Sequence, residues 1–220
     1  MAKLYFYYAA MNAGKTTRLL QSNFNYKERG MNTIIYTTIL DNRFGKEVVA
    51  SRIGLSEHSN TFDANTNIYE DVKSIVIKKE DNSKECINCI CVDEDQSNKG
   101  KPNNIHTKNI SCVLIDEAQF LSKQQVKQLC QIVDEFNIPV LAYGLRSDFL
   151  GEALEGSKYL LLWADELIEI KTMCFCGRKA TMNAKFADGK IVRSGNQVDI
   201  GGNDKYISLC RKHFNEGRLS

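Results

Sequence analysis

Short apolar runs of strand length alternate along the chain with segments whose apolar residues recur at helical spacing. Residues 4–8 are aromatic and apolar and read as a first buried strand. A small-residue turn follows, then a helical pattern in which Leu20 and Phe24 stand one turn apart and Gly30 supplies a C-terminal stop. Residues 33–37, β-branched and apolar, predict the next strand, so the order strand–loop–helix–strand implies a right-handed βαβ unit with parallel strands. Residues 112–115 form another buried strand, ending on the acidic pair Asp116 and Glu117. Ser122 and Gln125 have capping-box spacing, in which the hydroxyl caps one helix donor and the Gln side chain reaches back. Val126, Leu129, Cys130 and Val133 then share one helical face, and residues 139–145 read as a further buried strand. All of these stripes are expected to be core.

Two stretches depart from this rhythm. Residues 78–109 are rich in Asn, Lys, Asp and Glu with nearly balanced charge, the composition of an exposed insertion. Beyond Lys171 the chain carries closely spaced cysteines, short β-like runs such as residues 179–186, and a Gly-Gly pair, which describes a small metal-stapled β unit. The division expected is therefore a nucleotide-binding domain over residues 1–170 and a smaller domain over residues 171–220. The length of 220 residues suits that division.

Lys and Arg total 29 against 27 for Asp and Glu, for a net charge of +2. A protein that wraps nucleic acid needs a clear basic excess to release counterions, so no nucleic-acid partner is expected. No apolar stretch reaches the roughly 18 residues of a membrane span, and residues 1–8 lack the pattern of a signal peptide. The eight cysteines are then read as reduced thiols or metal ligands in a cytoplasmic protein.

The sharpest motif is Ala9-Ala10-Met11-Asn12-Ala13-Gly14-Lys15-Thr16, a phosphate loop between a strand and a helix, with Ala9 where the pattern usually has glycine. Backbone N–H groups and the helix N-terminus surround phosphates in such a loop. Lys15 would pair with the β- and γ-phosphates and Thr16 would coordinate magnesium. Asp116, at the end of a neighbouring strand, is placed to hold the same ion, which leaves Glu117 as a general base. The pair equally suits an ATPase, where the glutamate activates water. Cys174, Cys176, Cys210 and His213 form a C-x-C…C-x-x-H set, three thiolates and an imidazole suited to a closed structural zinc site. Cys86, Cys89 and Cys91 lie in the polar segment with only the distant His106 as a fourth donor, and are read as unliganded.

Five ordered motifs make the chain resemble the cytosolic, tetrameric, zinc-bearing thymidine kinases, close to their bacterial members. They are Tyr-Tyr-Ala-Ala-Met-Asn-Ala-Gly-Lys-Thr (residues 7–16), Asp-Asn-Arg-Phe-Gly (41–45), Asp-Glu-Ala-Gln-Phe (116–120), Tyr-Gly-Leu-Arg-Ser-Asp-Phe (143–149) and Ile-Gly-Gly-Asn-Asp-Lys-Tyr (200–206). The resemblance implies an α/β fold, a RecA-like P-loop parallel sheet followed by a small C-terminal zinc-binding lasso domain. It implies ATP-dependent phosphorylation of the thymidine 5′-hydroxyl, with Mg2+ and structural Zn2+ as cofactors and a homotetramer as the assembly. Carried over residue by residue, Glu117 matches the catalytic base and Arg43 an arginine beside the transferring phosphoryl group. Asp116 and Gln119 fall within the nucleotide site. Met11, Phe120, Leu145 and Phe149 match apolar residues around sugar and base. Asp199, Ile200, Gly201 and Gly202 match the lasso that holds the base by backbone groups, with Tyr206 beside it. The competing readings are a RecA-like P-loop ATPase and a nucleic-acid-binding zinc module.

Overall fold

The computed structural model describes residues 1–41, 45, 47–77, 110–197 and 205–220. In chain order the elements are β1 (Leu4–Ala9), α1 (Lys15–Glu28), β2 (Asn32–Thr38), β3 (Val48–Ala50), β4 (Ser56–His58), β5 (Asn60–Phe62), α2 (Ile68–Ile77), β6 (Ile110–Ile115), a 3-10 turn (Ala118–Phe120), α3 (Lys123–Phe136), β7 (Val140–Leu145), α4 (Glu155–Trp163) and β8 (Glu166–Glu169). There follow β9 (Thr172–Met173), β10 (Lys179–Ala180), β11 (Met182–Ala187), β12 (Lys190–Ile191), β13 (Tyr206–Leu209) and α5 (Arg211–Glu216).

Six strands form one sheet in the order β5-β2-β6-β7-β1-β8, every pair parallel. Strands covered on both faces need apolar residues at every position, which is why residues 112–115 and 140–143 read as unbroken apolar runs. Their side chains alternate between two cores. Val113, Ile115, Val140 and Ala142 join Val72, Val126, Leu129 and Leu160, the core under α2, α3 and α4. Cys112, Leu114, Leu141 and Tyr143 join Leu19 and Leu20 of α1 on the opposite face. The mixed α/β class and the parallel sheet agree with the sequence expectation.

Two expectations need correction. Phe24 is not core: it is 59% exposed, and α1 buries Leu19, Leu20 and Asn23 instead. The buried stripe runs through Leu19 and Asn23, and Phe24 falls outside it, one step further round the helical wheel. Asp116 does not end a strand next to β1, because β7 lies between β6 and β1. The capping box is present as expected. The Gln125 N–H donates to Ser122 Oγ at 3.2 Å and the Ser122 N–H to Gln125 Oε1 at 2.9 Å. Gly30, at φ +69° just past α1, is the predicted stop.

After β8 the chain forms the antiparallel pair β9 and β10, then an antiparallel sheet in the order β12-β11-β13, closed by α5. It has its own core of Cys174, Ala180, Ala184, Leu209, Cys210 and Phe214.

The position of α4 depends on one glycine. A Cβ at Gly156 would lie 2.3 Å from the Ala118 carbonyl oxygen and 2.9 Å from that of Leu121, so the helix rests directly on the backbone of the 3-10 turn. Both obstacles are backbone and cannot swing away. Gly156→Ala is expected to lower stability by about 1–3 kcal/mol as an overpacking change, read as a shift in the denaturant midpoint.

Candidate active site

All six parallel strands end on the same edge of the sheet, and the site is built there from the loops after β1, β6 and β7. The phosphate loop makes its turn with Asn12 at φ +61° and Gly14 at φ +77°. Glycine adopts that conformation without Cβ strain, which explains its place just ahead of α1. The first helical bond then runs from the Arg18 N–H to the Gly14 carbonyl at 3.0 Å. Lys15 opens the helix and is 8% exposed.

Thr16 Oγ1 donates to Asp116 Oδ2 at 3.0 Å, joining the loop to the acidic pair across β7. The other oxygen, Asp116 Oδ1, is buried without a hydrogen-bond partner. Burial pushes the Asp116 carboxyl up to about 7, with the neighbouring Glu117 charge adding to it and Lys15 and the Thr16 hydroxyl opposing. A dication beside it would reverse that balance. An unsatisfied buried carboxylate oxygen next to a threonine hydroxyl and a lysine therefore fits magnesium with bound nucleotide.

Glu117 adopts φ +51°, a left-handed conformation rare outside glycine. It caps the turn Ala118–Phe120, and the Phe120 N–H donates to its carbonyl at 3.0 Å. Gln119, 2% exposed, braces the carboxylate. Its Nε2 donates to Glu117 Oε2, and its Oε1 accepts the Leu145 N–H at 3.0 Å. The glutamine thereby ties Glu117 to the end of β7.

These loops enclose a cavity of about 330 Å³. Met11, Asn12, Gly14, Lys15 and Thr16 line one side, and Glu117, Gln119, Phe120, Leu145, Phe149 and Tyr206 line the other. Every described residue expected around the nucleoside thus faces the same space as the phosphate loop. Phe149 meets Tyr206 edge-on with ring centres 6.5 Å apart. Ala9 and Ala10 are buried beneath the loop, and Ala13 is half-buried; none of the three lines the cavity. Arg43, Asp199, Ile200, Gly201 and Gly202 lie outside the described residues, as do Cys86, Cys89, Cys91 and His106.

Among the cavity residues that carried no role in the sequence reading are Arg52, Asp148, Asn183 and Gln197. Arg52 donates to Asn12 Oδ1 at 2.7 Å. Asp148 Oδ1 accepts the N–H groups of Leu150 and Glu152, shaping the loop after β7. Asn183 bonds the Met11 backbone at 2.7 Å. A polar residue inside a β-like run was the available signal for Asn183, but its partner is 172 positions away.

The ligating atoms of Cys174, Cys176, Cys210 and His213 all lie within 4.8 Å of one another. Cys176 Sγ is 3.9 Å from Cys210 Sγ, and Cys174 Sγ is 3.4 Å from His213 Nδ1. Tetrahedral zinc with ordinary bond lengths needs separations of about 3.8 Å between thiolates and about 3.6 Å between thiolate and imidazole. The short C-x-C pair converges because the chain turns at once: the Gly177 N–H donates to the Cys174 carbonyl at 2.9 Å, with Gly177 at φ +80°. Burial opposes ionisation of Cys174, but backbone hydrogen bonds from Cys176 and Cys210, and side-chain bonds from His213 and Cys176, pull the thiol down to about 6. Thiolate is the form that binds metal. The cluster fits zinc.

The chain matches the family model described as thymidine kinase over residues 2–99 and 97–214, spans that run through the polar segment 78–109. It is 49% identical over 217 residues to a thymidine kinase of Vibrio vulnificus strain CMCP6, covering 98% of each chain. It is 50% identical over 218 residues to one of Shewanella oneidensis, again covering 98% of each. A thymidine kinase of Haemophilus influenzae is 49% identical over 217 residues, covering 98% of this chain and 97% of the relative. Among the described residues no helix is long and apolar enough to cross a membrane.

The four-ligand cluster generates an expectation of its own. Purified protein should carry one zinc per chain by elemental analysis, and Cys176→Ser or Cys210→Ser should lose most of it. Four protein ligands complete the tetrahedron and leave no position for a reactive water. Wild-type protein without stoichiometric zinc would refute the assignment.

Proposed function

Since the chain belongs to the thymidine kinase family, we propose that it transfers the γ-phosphoryl group of ATP to the 5′-hydroxyl of thymidine, giving thymidine 5′-monophosphate. The observation that carries this reading is the single cavity, bordered by the phosphate loop, by Glu117, and by the apolar side chains Phe120, Leu145 and Phe149. A phosphoryl donor and a nucleoside acceptor must meet in one space, and this cavity has a wall suited to each.

Phosphoryl transfer asks the protein mainly to position reactants and to stabilise charge. Lys15 and the loop N–H groups hold the β- and γ-phosphates. Thr16 and Asp116 would hold magnesium together with the nucleotide, and the ion would supply neutralisation of the phosphate charge. Glu117 takes the proton of the attacking 5′-hydroxyl, and Gln119 keeps its carboxylate aimed. Arg43 offsets negative charge on the transferring group. By resemblance, Asp199, Ile200, Gly201 and Gly202 bind the base through backbone groups with Tyr206 beside it, and the thymine methyl group meets Met11.

The two-domain division at residues 170 and 171 is supported by the separate core of the C-terminal unit. Zinc there serves structure. A homotetramer acting in the cytoplasm completes the reading, on the strength of the family resemblance.

ADP release tests the proposal against its rivals. Turnover should depend on thymidine. Turnover without an acceptor would mark an ATPase, and stimulation by single-stranded DNA would mark a nucleic-acid-dependent enzyme.

Glu117→Gln keeps the shape of the side chain but cannot accept the proton. Turnover is expected to fall by about 10²–10⁴-fold, the usual cost of losing a general base, while calorimetry still records ATP binding. Near-normal turnover in the folded variant would remove Glu117 from that role. Lys15→Ala should weaken ATP binding far more than thymidine binding, because its ammonium addresses phosphates alone. Equal loss of both affinities would indicate a damaged fold.

A further inference from the structure

The C-terminal unit engages the phosphate loop most closely at Met11. Asn183 on β11 and Ser208 on β13 are direct cross-strand partners in the antiparallel register. Both are buried, at 2% and 6% exposure. The Met11 N–H donates to Asn183 Oδ1 at 2.7 Å, and Ser208 Oγ donates to the Met11 carbonyl. One cross-strand pair thus engages both the donor and the acceptor of a single phosphate-loop residue.

Asn183 does more than bond Met11. Its Nδ2 donates to the Ser147 carbonyl at 2.7 Å, in the loop that continues into Phe149. The same amide therefore fixes the phosphate loop against the loop carrying an apolar wall of the cavity. On β13, Ser208 stands two residues after Tyr206, so period-two alternation sends both side chains to one face. Tyr206 lines the cavity and touches Phe149. Any movement of β13 that adjusts Tyr206 also pulls on the Met11 carbonyl.

We propose that Asn183 and Ser208 are positioning residues that clamp Met11 of the phosphate loop, so that occupation of the acceptor side of the cavity and nucleotide binding favour one another. This rests on the acceptor being a nucleoside, as proposed above. The coupling is reciprocal by thermodynamic necessity: an acceptor that steadies β13 tightens nucleotide, and nucleotide tightens the acceptor by the same factor. Asn183 and Ser208 are buried and Met11 is half-buried, so removing the Ser208 hydroxyl takes from the Met11 carbonyl a donor that water replaces poorly.

The test is calorimetric titration of a non-hydrolysable ATP analogue into the full-length protein, with and without saturating thymidine. In wild type, thymidine should tighten the analogue. Ser208→Ala should bind it about 3- to 10-fold more weakly, the usual worth of one net hydrogen bond, and should lose most of the thymidine effect. Ser208→Thr, which keeps the hydroxyl, should recover both. Wild-type affinity and wild-type coupling in Ser208→Ala would overturn the clamp. So would loss of thymidine affinity alone, which would confine the pair to the acceptor site. Hydrogen exchange on unaltered protein covers the case of a variant that does not fold. Peptides containing Met11 should exchange more slowly once thymidine is added, and unchanged exchange would overturn the proposal. Thymidine phosphorylation by wild type is assayed in parallel. Its absence would refute the proposed activity, and the clamp would then stand or fall on the analogue affinity of Ser208→Ala without thymidine.

Discussion

The hydrogen bond between Thr16 and Asp116 joins the ends of two strands that are not neighbours, and the rest of the site is arranged around that span. β7 lies between them, so the phosphate loop must arch over its end to bring the start of α1 to the acidic pair. The loop achieves this with left-handed residues at Asn12 and Gly14, and the acidic strand turns sharply on its side with Glu117 in the same region. The end of β7 is not idle. Its Leu145 N–H is held by Gln119, which also holds Glu117, so the intervening strand becomes the brace of the Glu117 carboxylate. A parallel sheet delivers all of these groups to one edge because every strand runs the same way.

Such an arrangement has a local cost. A non-glycine residue in the left-handed region costs on the order of 1–3 kcal/mol, and Glu117 holds that conformation next to a buried carboxylate. What offsets it is packing that leaves little freedom. The turn after Glu117 is pressed by α4 at Gly156, where no side chain would fit. Ser157, the next residue, donates to the Leu145 carbonyl at 2.6 Å. The helix, the turn and the strand end therefore fix one another. Donors and charges held in this way need no rearrangement when charge develops on a transferring group, which is where preorganised sites gain most.

The parts of this design legible in the sequence are those written in consecutive residues. Gly14-Lys15-Thr16, Asp116-Glu117, the Ser122–Gln125 cap and the two cysteine-bearing pairs each declare themselves within a few positions, because their chemistry depends on local geometry. Strand positions were readable because a sheet covered on both faces demands unbroken apolar runs. Phe24 misled because Leu20 and Phe24 have helical spacing, yet the buried stripe is set by where α1 meets the sheet and takes in the polar Asn23. Thr33 Oγ1 donates to Asn23 Oδ1 there, a partner that helical periodicity does not reveal, while Asn23 Nδ2 is buried without one. Strand order was not legible at all. Nothing in the local pattern says that β7 enters between β1 and β6, since that follows from how crossovers pack. Arg43 and the lasso residues 199–202 lie outside the described residues, so their part rests on resemblance alone.

The same distinction explains why the C-terminal unit looks separate in sequence and is not separate in action. Composition sets residues 171–220 apart, and their cysteines suggest a self-contained staple. Yet Cys174 comes two residues after Thr172, and Cys210 two after Ser208. Thr172 Oγ1 lies 3.5 Å from the Asn12 carbonyl, and Ser208 bonds Met11. The ligand cluster therefore sits at the root of β9 and β13, two of the three strands that touch the phosphate loop. Its four side chains come from both ends of the unit, and drawing them together fixes β9 against β13. A metal that fills the cluster does not act on the reaction, since no coordination position is left over. The spacing of Asn183 and Ser208, which meets both the N–H and the carbonyl of Met11, is set by the β11–β13 register. The Cys3His unit thus braces the phosphate loop as well as carrying Tyr206 to the cavity wall.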